Sequence, residues 1–253
     1  MKLYADYHTH TVYSHGSGEI EDNVKVAIER GLKQIGITDH GFKHTVFGLS
    51  EYRYRQMRSE VERLKSIYPI DILLGVEANL TGLTGTIDIT DEQYENIDIV
   101  VAGYHKATFP KSFSDIFKMH GAGIYRNLTG LSTAKMIARA TEAYVKAIEK
   151  NPIDILSHPN YVLGIEVGVV ADACASFGTY FELNGKRINM THDEFERVLS
   201  TKVKFVANSD AHSPNRVGEI LNVESYLAEY SDEVKNRVVN LTAPITLRSR
   251  SGK

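Results

Sequence analysis

The chain has 253 residues, and its 29 Lys+Arg against 32 Asp+Glu give a formal net charge of −3, which argues against a dedicated nucleic-acid binder but leaves room for a local basic groove. Hydrophobic residues at 42% and charged residues at 24% exclude a disordered chain and suit one large α/β barrel or two small domains. A single cysteine, Cys174, excludes an intrachain disulfide framework and any Cys-based zinc cluster, so the ten histidines and the carboxylates must hold any metal ion.

The opening MKLYADYHTH carries Asp6 and has no apolar core of signal-peptide length. No uncharged apolar stretch approaches the ~18 residues that cross a bilayer. The longest apolar segment, 162–175, contains Glu166 and Asp172, so the expectation is a cytoplasmic protein without membrane contact. A strand is expected over 3–7. A helix follows over 21–30, where Val24, Ala27, Ile28 and Leu32 recur at helical spacing and Gly31 supplies a stop. Glu19, Glu21 and Asp22 sit at its start, where the helix dipole favours acids. Next come a strand over 34–38, a helix over 51–67, and strands over 70–76 and 97–102. A helix over 133–150 sets Met136, Ile137, Ala140, Tyr144, Ala147 and Ile148 on one face. Strands over 153–156 and 179–183, a helix over 192–199, a strand over 203–207 and a last helix over 223–240 complete the pattern.

Repeating βα units without a Pro/Gly/Ser-rich linker predict one domain built on a parallel sheet, open or closed. The domain runs over 1–247, and the basic, polar tail 248–253 is expected to be disordered. The irregular stretch 104–131 holds Phe109, Phe113, Phe117 and Tyr125. It reads either as a functional or disordered loop or as a short helix around Phe113 and Phe117 packing on the barrel rim.

The polar residues are placed unevenly along this pattern. His8 and His10 end the first strand, Asp39 and His40 the second, and Glu77 the third. His105 ends the fourth, His158 the fifth, and Asp210 and His212 the last. In a parallel α/β barrel such positions all open onto one face, where active sites are built. Residues i and i+2 of an extended segment project to the same side, so His8 and His10 can aim at one ion and Asp210 and His212 at neighbouring points. His15 follows in a Gly/Ser-containing loop that can fold back over the same mouth. An HxH alone is a weak motif, and a lone strand-ending His or Glu is more often a satisfied polar residue. The conjunction on one end of successive strands is what favours a metal site. His44 and His120, in loops, are possible substrate or supporting groups, while His192 reads as a helix start.

With these residues in place the sequence resembles the PHP family, named for polymerase and histidinol phosphatase. HTH at 8–10, TDHG at 38–41, Glu77, His105, His158 and SDAH at 209–212 carry the likeness over nearly the whole chain. The resemblance implies a distorted (β/α)7, TIM-like barrel with a trinuclear metal centre at the C-terminal face of the strands. It implies that His8, His10, Glu77 and Asp210 hold a first ion, and that Glu77 bridges to a second held by His105 and His158. His15, His40 and His212 would hold the third, and His15 points to the stand-alone three-metal branch.

A donor set of imidazoles and carboxylates without thiolate suits zinc first, then manganese or iron(II), rather than calcium or magnesium. Clustered divalent ions suit hydrolysis of a phosphoester by a metal-bound hydroxide. The expectation is a histidinol-phosphatase-like phosphomonoesterase acting on a small phosphorylated substrate, with Glu77 and Asp210 central to catalysis. Arg187, Arg216 and Lys106 are the candidate cations for the phosphate, and Asn184 could orient substrate or a ligand. The alternatives are a PHP-type nuclease, an amidohydrolase-type barrel cleaving C–N bonds, and a metal-binding module without catalysis. Oligomeric state is not legible.

Overall fold

The computed structural model describes residues 1–106, 108–110, 112 and 115–250. Seven strands form one parallel sheet in simple chain order: β1 (Ala5–Asp6), β2 (Gln34–Ile37), β3 (Asp71–Asn79), β4 (Ile99–Gly103), β5 (Ile155–Leu156), β6 (Tyr180–Asn184) and β7 (Phe205–Asn208). Around them run α1 (Ile20–Glu29), α2 (Glu51–Lys65), α3 (Gly121–Thr129), α4 (Ala134–Lys150), α5 (Val167–Phe177), α6 (His192–Leu199), α7 (Leu221–Leu227) and α8 (Asp232–Lys235). This is the expected distorted (β/α)7 barrel. The strands read as apolar runs because a parallel sheet wrapped by helices is buried on both faces. Ala5, Tyr7, Ile99, Val101, Ile155, Val206 and Ile245 fill its interior. Among the described residues no helix is long and apolar enough to cross a membrane.

The barrel departs from regularity where β7 meets β1, and side chains replace the missing ladder. Asn208 Oδ1 accepts from Tyr7 N at 3.0 Å. The buried Asn240 amide donates to Ala5 O at 2.8 Å and Ala207 O at 2.7 Å, and its oxygen accepts from Ala207 N at 2.9 Å. Past the strands, Thr9 and Ala211 make a parallel bridge that completes the closure. Asn240→Ala removes all three bonds and orphans buried backbone groups on both strands, a loss of about 3 kcal/mol. Urea unfolding of the variant should show a clearly lower midpoint, whereas an unchanged midpoint would remove Asn240 from the seam.

Three elements differ from the sequence expectation. Residues 167–177 form α5, which no amphipathic pattern announced. It packs between α4 and α6 and buries Val167, Val170, Ala171, Ala173 and Cys174, so it lacks a broad polar face. The expected helix over 223–240 is broken into α7, α8 and a 3-10 turn at Val239–Leu241, because the chain restarts at the extended Ser231 and then turns Asn240 inward. Within 104–131 a π-helical turn at Ile116–His120 leads into α3. The expected packing of the Phe113 and Phe117 side chains lies outside what the structure describes. The tail is held as far as Arg250. Arg248 N donates to Asp154 Oδ1 at 2.7 Å, its guanidinium reaches Ile148 O and Asn151 O, and Arg250 pairs with the buried Asp154. Residues 251–253 lie outside the described residues.

Candidate metal centre

Glu77 stands near the end of β3, opposite Val101 on β4 and bridged to His40 on the other side. That register puts its buried carboxylate at the middle of the mouth. Its Oε1 lies 2.7 Å from His158 Nε2 and 3.2 Å from both His105 Nε2 and His8 Nε2. Its Oε2 lies 3.0 Å from His40 Nδ1 and 3.5 Å from His10 Nε2. His8 Nε2 and His10 Nε2 are 3.2 Å apart, and Asp210 Oδ1 is 3.7 and 3.5 Å from them. Ligands at zinc distance in a tetrahedral shell stand about 3.3–3.6 Å from one another, so these three donors stand within about 0.1 Å of that separation. Further out, ligand atoms of His10, His15, His40 and His212 also lie within 4.8 Å of one another.

The imidazoles are oriented from outside. His8 Nδ1 donates to Glu182 Oε1 at 2.8 Å, and His105 Nδ1 donates to Asn79 Oδ1 at 2.8 Å. A carboxylate can only accept, so His8 Nδ1 keeps its proton and Nε2 is the nitrogen that faces the centre and would lose its proton to an ion. Asn79 is fixed in turn by its amide donating to Asp88 Oδ2 at 2.6 Å. Gly41 makes room for this Asp88 carboxylate, since a Cβ there would sit 2.6 Å from both oxygens. Asp39 spends its oxygens on Thr11 and Ser14 and so anchors the loop that carries His15. His158 and Asp210 adopt left-handed backbone, at φ 27° and 52°, the kind of strain that functional sites retain.

Charge is distributed to suit cations. Burial opposes ionisation of Glu77 and Asp210, yet His105 and His8 hold the first, and His8 and His10 the second, well below the usual carboxylate range. Burial pushes His10 well below 6.5, His15 down to about 4 and His40 down to about 3. These three rings are therefore neutral at neutral pH. At His8 burial is outweighed by Glu182 and Glu77, which raise it well above 6.5, and at His158 by Glu77, which raises it too, so an ion bound there would displace a proton from each. The buried His40 Nδ1 lies beside Glu77 Oε2 but makes no well-aligned hydrogen bond with it, which leaves this nitrogen available to an ion. Residues and metal thus fit.

The family model of the PHP domain matches residues 6–210, a span that contains eight of the nine donors. The chain belongs to the PHP family. It is 29% identical to a probable phosphatase of Shewanella piezotolerans over 87% of this chain and 82% of that protein. A probable phosphatase of Caldanaerobacter subterraneus subsp. tengcongensis is 28% identical over 84% of this chain and 77% of the relative. The fold is also that of the histidinol phosphate phosphatase of Lactococcus lactis, solved with zinc, L-histidinol and phosphate, at a TM-score of 0.64 and 18% identity over 98% and 97% of the two chains.

Within this PHP barrel all nine expected donors gather at the C-terminal mouth. They adjoin a cavity of about 470 Å³ lined also by Lys106, Lys186 and Arg187. Arg216 is not brought there, and its guanidinium pairs with Glu219 at 3.1 Å. Lys186 escaped the sequence reading although its Nζ lies 2.7 Å from His212 Nδ1 and 3.5 Å from Asp210 Oδ1. Glu182 escaped too. Asn184 donates to Glu182 and Asp210, and its oxygen accepts from Lys186 N and Arg187 N, so it shapes the cationic turn. His120 instead meets Lys106 O, and His192 starts α6 beside Tyr230, both away from the cavity.

His44 does line the cavity, stacked on His40 at 4.5 Å. Burial, helped by His105, lowers its pKa from 6.5 to about 4. The fold keeps this ring neutral while the unfolded chain protonates it below 6.5, so its contribution to stability is lost as pH falls from 6.5 to about 4. In metal-stripped protein, wild type should therefore lose melting temperature relative to His44→Gln across that window, with a constant difference above it. A constant difference at every pH would contradict the assignment.

Proposed function

We propose that this metal-dependent phosphoester hydrolase is a phosphomonoesterase with three divalent ions, zinc first among them. The observation that carries the reading is the clustering of seven imidazoles and two carboxylates at and beneath one half-open cavity that also presents Lys186 and Arg187. His8, His10, Glu77 and Asp210 would hold one ion, Glu77, His105 and His158 a second, and His15, His40 and His212 a third. Ions held there supply positive charge for the phosphoryl oxygens and activate a water molecule. The net reaction breaks the ester P–O bond, transfers the phosphoryl group to water and returns a proton to the departing alkoxide.

The chain's own groups do the rest. Lys186 and Arg187 offer cationic donors to the non-bridging oxygens, and Asn184 fixes the turn that carries both. A cavity of about 470 Å³ suits one small phosphorylated molecule better than a nucleic-acid strand. The Lactococcus lactis structure, with L-histidinol and phosphate together, supports a monoester as the substrate type. Chelator-stripped protein should be inert on a phosphomonoester panel, and zinc or manganese should restore hydrolysis. Preferential cleavage of bis(p-nitrophenyl) phosphate or of amides, or full turnover without metal, would overturn the proposal.

A further inference from the structure

Two rings line the cavity without offering any ligand to it. Phe47 is 39% exposed and lies over His15 at 4.8 Å, while Tyr161 is 46% exposed and stands edge-on to His158 at 5.5 Å. Both ride on loops pinned beside the ligand-bearing strands. Phe47 N donates to His44 Nδ1 at 3.1 Å, His44 bridges to Thr108, and Asp88 accepts from Lys43 N at 2.9 Å. Tyr161 N donates to His158 O at 3.2 Å, and the neighbouring Asn160, at φ 64°, is locked by Arg126, Ile165 and Asn189. Pre-set rings gain contact area at little entropic cost. Because His44 Nδ1 accepts backbone N–H groups, the neutral ring carries its proton on Nε2 and is a donor at the cavity wall.

The charges at the mouth are one-sided. Among the described residues the only carboxylates lining the cavity are Glu77 and Asp210, both of which belong to the donor set. Lys106, Lys186 and Arg187 line it as well. An ammonium on the leaving group would meet these cations with no acid left to pair it, whereas an uncharged aromatic ring would meet Phe47 and Tyr161.

We propose that Phe47 and Tyr161 are the specificity-determining residues of this site, selecting phosphomonoesters whose leaving alcohol bears an uncharged planar ring and disfavouring amino-alcohol phosphates, the phosphate ester of L-histidinol among them. The inference rests on the phosphomonoesterase reading. Benzyl, ethyl and 2-aminoethyl phosphate are all primary alkyl esters, so they differ in ring and charge more than in intrinsic reactivity. With zinc-reconstituted protein, kcat/KM should be at least tenfold higher for benzyl than for ethyl phosphate and lowest for the 2-aminoethyl ester. Phe47→Ala and Tyr161→Ala should each pull the benzyl-to-ethyl ratio toward one. Calorimetric titration with benzylphosphonate and ethylphosphonate should show the same ratio in binding and the same collapse in the variants, and melting curves would confirm that both fold. Equal efficiency on benzyl and ethyl phosphate in wild type, a ratio untouched in both variants, or preference for the 2-aminoethyl ester would overturn the inference while leaving the monoesterase reading standing. Hydrolysis of none of the three, nor of other monoesters, by fully loaded protein would instead sink that reading.

Discussion

Glu77→Gln is expected to lower phosphomonoester turnover by more than about a thousandfold, equivalent to about 4 kcal/mol of lost transition-state stabilisation, and to empty the centre of most of its metal. The side chain is the one group that meets five imidazoles: Oε1 faces His158, His105 and His8, and Oε2 faces His40 and His10. An amide keeps the volume but removes the charge and turns one of those oxygens into a donor. Whichever end the NH2 takes, it presents hydrogens where imidazole nitrogens need an ion or an acceptor. The fold has independent support at this point, because the backbone of Glu77 is bonded to Asp39 O and Gly41 N on the neighbouring strand end. A folded, metal-poor, inactive protein is thus the expected product. Metal per chain by mass spectrometry and kcat on a monoester would be read together. Full metal occupancy with turnover within tenfold of wild type would show that Glu77 is not the shared carboxylate.

The gathering of the nine candidate donors was legible from sequence because two elementary rules act together. Parallel strands bring their C-terminal ends to one face, and residues two apart on an extended segment point the same way, which made His8 with His10 and Asp210 with His212 readable as pairs. What surrounds the ligands obeyed neither rule so visibly. Glu182 lies inside β6, where an acid between Phe181 and Leu183 looks like the solvent face of an alternating strand; in a closed barrel that face is the interior. Its spacing of two from Asn184 was the available signal. Lys186 was hidden by turn geometry, since Asn184 Oδ1 accepts from both Lys186 N and Arg187 N and so shapes a turn that brings both side chains to the cavity. Arg216 looked equivalent from its distance to SDAH, yet the 3-10 turn Pro214–Arg216 pairs it with Glu219. The seam between β1 and β7 was illegible for a related reason. A short strand sewn by asparagine side chains has no hydrophobic period to announce it.

Glu182→Gln is expected to weaken zinc binding by about ten- to a hundredfold and to lower the melting temperature by about 5–10 °C. The buried carboxylate takes four hydrogen bonds. Oε1 accepts from His8 Nδ1 at 2.8 Å and Asn208 Nδ2 at 3.0 Å, while Oε2 accepts from His158 N at 2.7 Å and Asn184 Nδ2 at 3.0 Å. Burial disfavours its charge, but His8 keeps it ionised below the usual glutamate range. It therefore acts as a positioning residue: it holds His8 in the tautomer whose Nε2 can ligate, ties the strained His158 backbone in place, and joins β6 to β7 through Asn208. In the glutamine variant the new NH2 must face two donors, either His8 with Asn208 or the His158 amide with Asn184. One choice releases the His8 ring and the other releases the His158 loop. Either loosens a ligand without removing one, so excess zinc should bring turnover back to within about tenfold of wild type, unlike Glu77→Gln. A purely structural residue would lower the melting temperature and leave zinc affinity alone. Zinc titration against a competing chelator separates the two, and an unchanged dissociation constant would refute the positioning role.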